Sequence, residues 1–370
     1  LHGNQIGEGQ LNRANQLLKL GAEKIGVRGE LMMHNRVGCA GLGTCLLGCP
    51  IGAKKNPRLV SIPKAVAAGA SFLCRARAVR IDDATSERKR VEVRSLDAKG
   101  YHEVNAFTIR ARTVILAANA IGSAHLLVRS GIGNAHVGRH VSLQPQLPVV
   151  ARFHDDVIPY RGIPQAYAVN EFERVDDDKG LWGFRIEAIM GTPGIVASLL
   201  PRVGVDAKAA MLAYNKSAAS LVLAPDTPAG TVRSSKHGKV LIDYAHADEH
   251  KQRLRDGAKV AARAYLAAGA YEVEIPSATP ALVRSERDLA AIDAISFAPC
   301  TVPMMSAHQQ GGVRAAPSDK DGAAAPDGLV YGTRGVYCFD SGVFPTSASS
   351  HTQTPIITAS RYLATRFLAG

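Results

Sequence analysis

The pattern of apolar and polar positions predicts that strands and helices alternate along this chain. An uninterrupted apolar run from Val114 to Ala118 is typical of a strand buried on both faces. A helix is predicted to follow from about Gly122 to Ser130. It should end at Gly131, because glycine readily takes the left-handed backbone conformation of a helix C-cap. This strand-then-helix order indicates an α/β arrangement and nothing more specific.

The middle of the chain has a different pattern, with alternating segments and one long helix. Alternation between Leu181 and Ala188 predicts a strand, and the residues on either side of His237 predict a hairpin. A long amphipathic helix is predicted from Asp248 to Ala268, with Gly269 just beyond its end. With 370 residues, the chain is long enough for two domains.

Composition is that of an ordinary folded protein, with 46% hydrophobic and 21% charged residues. The apolar runs are far shorter than the roughly 20 residues that span a bilayer, which predicts a soluble chain but leaves a cytoplasmic or periplasmic location open. The net charge of +12 comes from scattered basic pairs without interleaved aromatic residues. This distribution favours a solvated surface over a nucleic-acid interface.

Two histidines near the end of the chain are the first candidates for chemistry. His308 lies in the loop Ser306–Gly312, and His351 follows the segment Gly335–Ser347, so that two loops rich in small residues flank one apolar strand. The imidazole pKa of about 6.5 allows proton exchange near neutral pH. The two histidines are therefore predicted to act in acid/base catalysis.

Three of the six cysteines fall within eleven residues, at Cys39, Cys45 and Cys49, spaced Cys-x5-Cys-x3-Cys-Pro among glycines. Thiolates are the usual ligands of iron-sulfur clusters, so the spacing predicts a three-iron, four-sulfur (3Fe-4S) cluster. A reduced or disulfide-bonded loop and a zinc site are the alternatives. The remaining cysteines are interpreted as small buried hydrophobic residues; they are Cys74, Cys300 and Cys338.

These segments together resemble the glucose-methanol-choline (GMC) flavoprotein oxidoreductases. That family has a Ser-Ala-His-x-x-Gly-Gly loop, then Asp-x-x-Val-Phe-Pro-Thr-Ser, then a His or Asn before the last helix, and all three stand in that order here. The resemblance implies an FAD-dependent enzyme that oxidises an alcohol to an aldehyde or ketone by hydride transfer to the flavin. It implies His308 as the active-site base and His351 as the second active-site residue.

The same resemblance implies a set of cofactor-binding residues in four separate stretches of the chain. They are Val79, Ala118, Asn119, Asp340, Ser341, Gly342 and Thr352. Two departures from the family pattern stand beside them. Ser142-Leu143-Gln144-Pro145 replaces the usual Asp-His-Pro, and His351 is followed by Thr352-Gln353-Thr354-Pro355.

The cysteine spacing also resembles the iron-sulfur-bearing dehydrogenase branch of that family, which passes electrons to a cytochrome-type acceptor. This favours a dehydrogenase, and a GMC oxidase that uses oxygen is the alternative. No Gly-x-Gly-x-x-Gly follows a predicted strand and opens a helix. A second alternative is therefore a non-catalytic fragment or subunit that needs an N-terminal FAD-domain polypeptide to bind FAD.

The expected fold class is α/β (α+β). The resemblance implies an FAD-binding Rossmann-like domain, here without its Gly-x-Gly-x-x-Gly unit, combined with an antiparallel-sheet substrate-binding domain. The expected division is residues 1–148 for the remainder of the FAD-binding domain with the cysteine loop, 149–297 for the substrate-binding domain, and 298–370 for the return to the FAD-binding domain.

Overall fold

The structure is a computed structural model that describes residues 3–176, 181–189 and 191–369. The helices are α1 Arg13–Lys24, α2 Ser61–Ala67, α3 Asn119–Ser130, α4 Pro193–Leu199, α5 Gly204–Leu212, α6 Asp248–Ala267 and α7 Gln353–Leu368. The strands are β1 Gly3–Gln5, β2 Gly29–Leu31, β3 Met33–Asn35, β4 Ala76–Asp82, β5 Lys89–Leu96, β6 Glu103–Ala111, β7 Val114–Leu116, β8 Leu147–Arg152, β9 Tyr167–Val169, β10 Arg174–Asp176, β11 Leu181–Trp182, β12 Arg185–Ile189, β13 Ser217–Leu223, β14 Thr231–Ser234, β15 Val240–Asp243, β16 Glu272–Ile275, β17 Ala281–Val283 and β18 Val336–Cys338.

The first of two compact units contains Leu1–Ala70, Pro145–Pro225 and Asp248–Met305. Its centre is an antiparallel sheet with the strand order β17-β16-β8-β13-β12-β9-β2. Strand β8 alternates buried and half-buried residues, as a strand with one core face should. Helices α1 and α6 pack on that core face and on each other.

The long helix α6 has the amphipathic pattern that its sequence predicts. Its buried residues recur at helical spacing, and they include Leu254, Ala258, Ala261 and Tyr265. The prediction of this helix is confirmed to within one residue, and Gly269 follows its end with φ of 100°. The segment predicted as a strand between Leu181 and Ala188 forms β11 and β12.

The second unit contains Ser71–Gln144, Asp226–Ala247 and Ser306–Gly370. It combines an antiparallel meander, β4-β5-β6, with a parallel pair, β7-β18, and the hairpin β14-β15. The hairpin predicted around His237 is confirmed. Helix α3 packs against β4, β14 and the short 3-10 turn Ser341–Val343, which closes the core of this unit.

Strand β7 differs from its prediction. It is shorter than the apolar run, and Ile115 is 45% exposed, so burial on both faces was the wrong expectation. Among the described residues β7 pairs only with β18, which leaves its other edge without a neighbouring strand. Helix α3 begins at Asn119, three residues earlier than predicted, and ends at Gly131 with φ of 66°, as predicted.

The mixed architecture with antiparallel sheets confirms the predicted fold class. The domain boundaries at residues 148 and 297 stay a prediction. Each unit is assembled from three separate stretches of chain, and residues 3–70 contribute to the unit with the large sheet. Within the described ranges, no helix combines the length and apolar character needed to cross a membrane.

Candidate active site

The loop that carries His308 lies against the segment 138–142 of the second unit. Ser142 and Gln310 exchange two backbone hydrogen bonds of 2.9 Å, and the Gly138 N–H donates to Gly312 at 2.7 Å. Gly311 has φ of 78°, and a Cβ there would lie 2.0 Å from the His140 carbonyl oxygen. Glycine is therefore required for this close approach. The loop holds His308 with only 7% of its surface exposed.

The two histidines predicted as catalytic lie together. The ring centroids of His308 and His351 are 5.2 Å apart, and the rings meet edge to face at 84°. His351 directly precedes Thr352, the N-cap of α7. Leu363 anchors that helix in the core of the unit, and Ser360 Oγ donates to the Phe339 carbonyl.

Gln144 contacts His308 directly, and the sequence did not identify it as a site residue. Its Oε1 is hydrogen-bonded to His308 Nδ1, and its Nε2 donates to the Ala348 carbonyl. The side chain is completely buried, and the backbone has φ of 46°, which is uncommon for a residue other than glycine. The only signal in the sequence was that Gln144 stands in a departure from the family's Asp-His-Pro.

Asp226 connects the segments around Gln144. One carboxylate oxygen accepts the Leu143 N–H at 2.9 Å and the Tyr244 hydroxyl at 2.7 Å. The other accepts the Gln144 N–H at 3.1 Å and the Ser347 hydroxyl at 2.7 Å. Burial, together with the Asp226 charge, raises the pKa of Tyr244 well above its usual value, so its hydroxyl remains a donor. A buried carboxylate with four donors is a structural hub, and no sequence pattern pointed to it.

Asp340 is held in the same unit by a second set of contacts. It accepts hydrogen bonds from Ser123 Oγ at 2.5 Å and from the Gly342 N–H at 2.7 Å. Ser123 Oγ in turn accepts the Ala118 N–H at 3.1 Å, so Ser123 joins the end of β7 to the end of β18. Ser341 and Gly342, both predicted cofactor residues, lie buried in the turn that follows. Burial and the Asp340 carboxylate raise the pKa of the Cys338 thiol.

A cavity of about 830 Å³ in the second unit brings together two other predicted cofactor residues, Val79 and Ala118. Val79 lies where the register between β4 and β5 shifts, which is the mark of a β-bulge. The charged side chains that line the cavity are Arg77, Arg94, Arg129, Lys239 and Glu103, and the Glu103 carboxylate lies 3.8 Å from both Arg77 and Arg94. Its lining does not include Asp340 or Thr352, although Ser123 links the Ala118 N–H at the cavity to the Asp340 carboxylate. Asn119, at the start of α3, has φ of 70°.

The predicted cluster at Cys39, Cys45 and Cys49 is not supported. Among the described residues, no group of three His, Cys, Asp or Glu side chains is arranged to hold a metal ion, which also counts against the zinc alternative. The three thiols have different surroundings. The Gly41 N–H approaches Cys39 Sγ at 3.5 Å, burial raises the pKa of Cys45, and backbone N–H groups of residues 51–54 lower the pKa of Cys49.

The other three cysteines differ in burial. Cys338 is completely buried, as predicted, whereas Cys74 and Cys300 are exposed, so their interpretation as buried hydrophobic residues was wrong. Cys74 precedes β4 in a turn, and Cys300 lies in another turn with φ of 64°. Both lie in connecting segments at the surface, where apolar neighbours in the sequence do not bring burial.

Comparison with known proteins gives a consistent result. Residues 7–146 match the N-terminal part of GMC oxidoreductase, and residues 226–360 match its C-terminal part. An uncharacterized GMC-type oxidoreductase of Mycobacterium tuberculosis is 29% identical over 97% of this chain and 55% of its own length. Long-chain-alcohol oxidase FAO4A of Arabidopsis thaliana is 25% identical over 90% of this chain and 47% of its own length.

Solved structures show the same fold. Pyridoxine 4-oxidase from Mesorbium loti has a TM-score of 0.71 at 14% identity, covering 100% of this chain and 72% of its own. Formate oxidase of Aspergillus oryzae has a TM-score of 0.68 at 15% identity, covering 98% of this chain and 71% of its own. The chain spans about half the length of the curated relatives that it matches.

Proposed function

The chain belongs to the GMC oxidoreductase family, and from that premise we propose that it carries the proton-accepting histidines and part of the FAD site of an enzyme that oxidises an alcohol to an aldehyde or ketone. The observation that supports this most directly is the edge-to-face contact of His308 and His351. The loops that carry these two residues are separated by more than 30 positions in the sequence and meet only in the folded unit.

The described residues fit FAD. Val79 and Ala118 share a cavity whose lining carries four cationic side chains against the one carboxylate of Glu103, and a net positive lining favours the doubly charged pyrophosphate of a dinucleotide. Asp340 and Gly342 lie at the end of β18, where α/β folds commonly take their ligands. These residues would hold the cofactor. When bound, FAD supplies the acceptor for the hydrogen that leaves the alcohol carbon.

The part of this chain in the reaction is the removal of the hydroxyl proton. Neutral His308 accepts that proton, and His351 hydrogen-bonds the same oxygen and orients it. The burial of His308 limits competition from water for its lone pair. A positioned general base contributes about 10²- to 10⁴-fold to a rate.

Oxygen is the electron acceptor that we propose. The expectation of a dehydrogenase with a cytochrome-type acceptor depended on a cluster at the cysteine loop, which the geometry of that loop does not support. Several relatives are named long-chain-alcohol oxidases, and a long-chain alcohol is accordingly the first substrate to test. Hydrogen peroxide formed with each equivalent of alcohol oxidised would support an oxidase, whereas turnover only with an artificial electron acceptor would favour a dehydrogenase.

The test begins with FAD binding by the purified chain, followed by anaerobic reduction of the bound flavin with a long-chain alcohol. His308→Ala should slow flavin reduction by about 10²-fold or more without weakening FAD binding. His102→Ala is the matched control, because His102 is exposed in the β5–β6 connection and should reduce flavin at the wild-type rate. Near-normal reduction by His308→Ala would overturn the assignment of the base.

FAD binding also tests the alternative of a fragment or subunit. Binding that appears only after addition of a second polypeptide with a strand, a Gly-x-Gly-x-x-Gly turn and a helix would support that alternative. Reduction kinetics would then be measured on the complex.

A further inference from the structure

The orientation of the Gln144 side-chain amide follows from its two partners. A peptide carbonyl such as that of Ala348 can only accept a hydrogen bond, so the amide atom that faces it must be the NH₂ group. The remaining amide atom, Oε1, then faces His308 and can itself only accept. The Nδ1 atom of His308 must therefore carry a hydrogen.

The protonation of Nδ1 determines what the other ring nitrogen does. A neutral imidazole has one N–H and one lone pair, so a hydrogen on Nδ1 leaves the lone pair on Nε2. Only the nitrogen with the lone pair can accept a proton from a substrate hydroxyl. The contact with Gln144 thus selects the form of His308 that can act as a base through Nε2.

Gln144 is itself held from several sides. Asp226 accepts the consecutive N–H groups of Leu143 and Gln144, at 2.9 and 3.1 Å, which stabilises the turn that gives Gln144 its positive φ. Ser306 Oγ donates to the Leu143 carbonyl. Each of these contacts limits rotation of the backbone beneath the Gln144 side chain.

Asp226 also helps to hold the segment that contains Ala348, whose carbonyl accepts the hydrogen bond from the Gln144 amide. Asp226 accepts the Ser347 hydroxyl at 2.7 Å, and the Ala348 N–H donates to Gln310 Oε1 at 3.1 Å. Gln310 Nε2 donates back to the His308 carbonyl at 3.1 Å. The two partners of the Gln144 side chain are thereby fixed relative to each other.

We propose that Gln144 is a positioning residue that holds His308 in the Nδ1–H tautomer, which places the lone pair on Nε2, and that Asp226 holds Gln144 in place. This inference rests on the proposed function only for the use that the enzyme makes of the Nε2 lone pair. The tautomer itself is a property of this chain without substrate or cofactor.

The first test measures the tautomer directly. The chain is labelled with ¹⁵N-histidine, and two-bond ¹H–¹⁵N correlation spectra are recorded at a pH where His308 is neutral, with its signals assigned by their loss in His308→Asn. The expected result is Nδ1–H in the wild type. Observation of the Nε2–H tautomer there would overturn the proposal.

Variants test whether Gln144 is the cause. Gln144→Leu removes the acceptor and should produce a mixture of tautomers, and Gln144→Met, which is closer to glutamine in length and also lacks the oxygen, should do the same. Gln309→Leu is the matched control, because Gln309 is a half-buried neighbour whose amide donates to the Ser306 carbonyl at 2.8 Å. An unchanged tautomer in Gln144→Leu would count against the proposal. If that variant fails to fold, Gln144→Met decides the question.

Kinetics connect the tautomer to the reaction. Gln144→Leu should slow flavin reduction about tenfold or more while FAD affinity stays unchanged, because a misplaced hydrogen removes the base and not the binding site. Asp226→Asn should also slow flavin reduction, since an amide can accept fewer of the four hydrogen bonds that the Asp226 carboxylate accepts.

The two proposals can fail separately. A wild-type Nδ1–H tautomer combined with normal reduction by His308→Ala would reject His308 as the base and retain Gln144 as the residue that sets its tautomer. Slow reduction by His308→Ala combined with an Nε2–H tautomer in the wild type would retain His308 as the base and reject Gln144 as the residue that sets its tautomer.

Discussion

The residues around the candidate base differ in how far the sequence revealed them. His308 and Asp340 stand in recognisable motifs, whereas Gln144 and Ser123 are ordinary polar residues in the sequence. Ser123 reaches Asp340 across 217 positions, and Gln144 reaches His308 across 164. A hydrogen bond between residues so far apart along the chain cannot be inferred from a local sequence pattern. Such partners could be identified only when the fold brought their atoms within about 3 Å.

Cysteine reactivity offers a prediction at the same scale. Backbone N–H groups lower the pKa of Cys49, whereas burial raises the pKa of Cys45 and of Cys338. The thiolate is the reactive form, so Cys49 should be alkylated by iodoacetamide at a lower pH than Cys45, and Cys338 should stay unmodified in the folded chain. Mass spectrometry of peptides from a labelling series between about pH 6 and pH 9 measures this order. Equal rates at Cys45 and Cys49 would contradict it.

At the scale of elements, the periodic segments were the most predictable. Helix α6 was predicted nearly residue by residue, because its buried side chains recur at helical spacing and a glycine follows its end. Strand β7 was predicted too long and too buried, because an apolar run reports hydrophobicity and not the number of neighbouring strands. The cysteine loop could not be predicted correctly for a related reason, since spacing along the chain does not fix the direction of each sulfur atom.

The contact between α1 and α6 gives a prediction for an element pair. A Cβ at Gly21 would lie 1.9 Å from the Ala264 carbonyl oxygen, so Gly21→Ala should lower the free energy of unfolding by about 1–3 kcal/mol. Intrinsic helix propensity alone would give the opposite sign, by about 1 kcal/mol.

Gly194 in α4 is the matched control for this substitution. A Cβ there meets no atom within 4 Å, so Gly194→Ala should leave stability unchanged or raise it slightly. Urea denaturation followed by circular dichroism compares the two variants. A Gly21→Ala chain as stable as Gly194→Ala would show that the helices can move apart at little cost.

At the scale of the whole molecule, the chain builds two units from interleaved stretches. The second unit alone contains His308, His351, Gln144, Asp226 and Asp340. These residues come from all three of its stretches, so the candidate site exists only when this unit is folded. Loss of its fold should remove the histidine pair as a whole.

The stability of the folded chain should depend on pH in a defined direction. Burial and, less strongly, the nearby charges of Arg129 and Arg314 hold the pKa values of His125 and His140 below the usual 6.5. Below that pH the unfolded chain binds protons that the folded chain resists, so the free energy of unfolding should fall as the pH decreases through about 6.5.

Denaturant titrations at a series of pH values between about 5 and 8 measure this decrease. His140→Asn should reduce the slope, because asparagine tolerates the φ of 60° at this position and does not titrate. His102→Asn serves as the control for replacing an exposed histidine. An identical slope in wild type and His140→Asn would reject this source of the pH dependence.

The sequence by itself determined the features that depend on local periodicity and on short motifs. It determined the long helix α6, the hairpin β14-β15, the glycine end of α3 and the two histidines as a pair of interest, because these follow from residue spacing and backbone preferences. The fold class followed from the resemblance of its motifs to a known family. The tertiary structure alone decided the burial of β7, the surroundings of the three clustered cysteines, and the contacts of Gln144, Asp226 and Ser123. Those properties depend on which distant segments pack together, and the free energy of that packing is summed over the whole unit and not encoded at any one position.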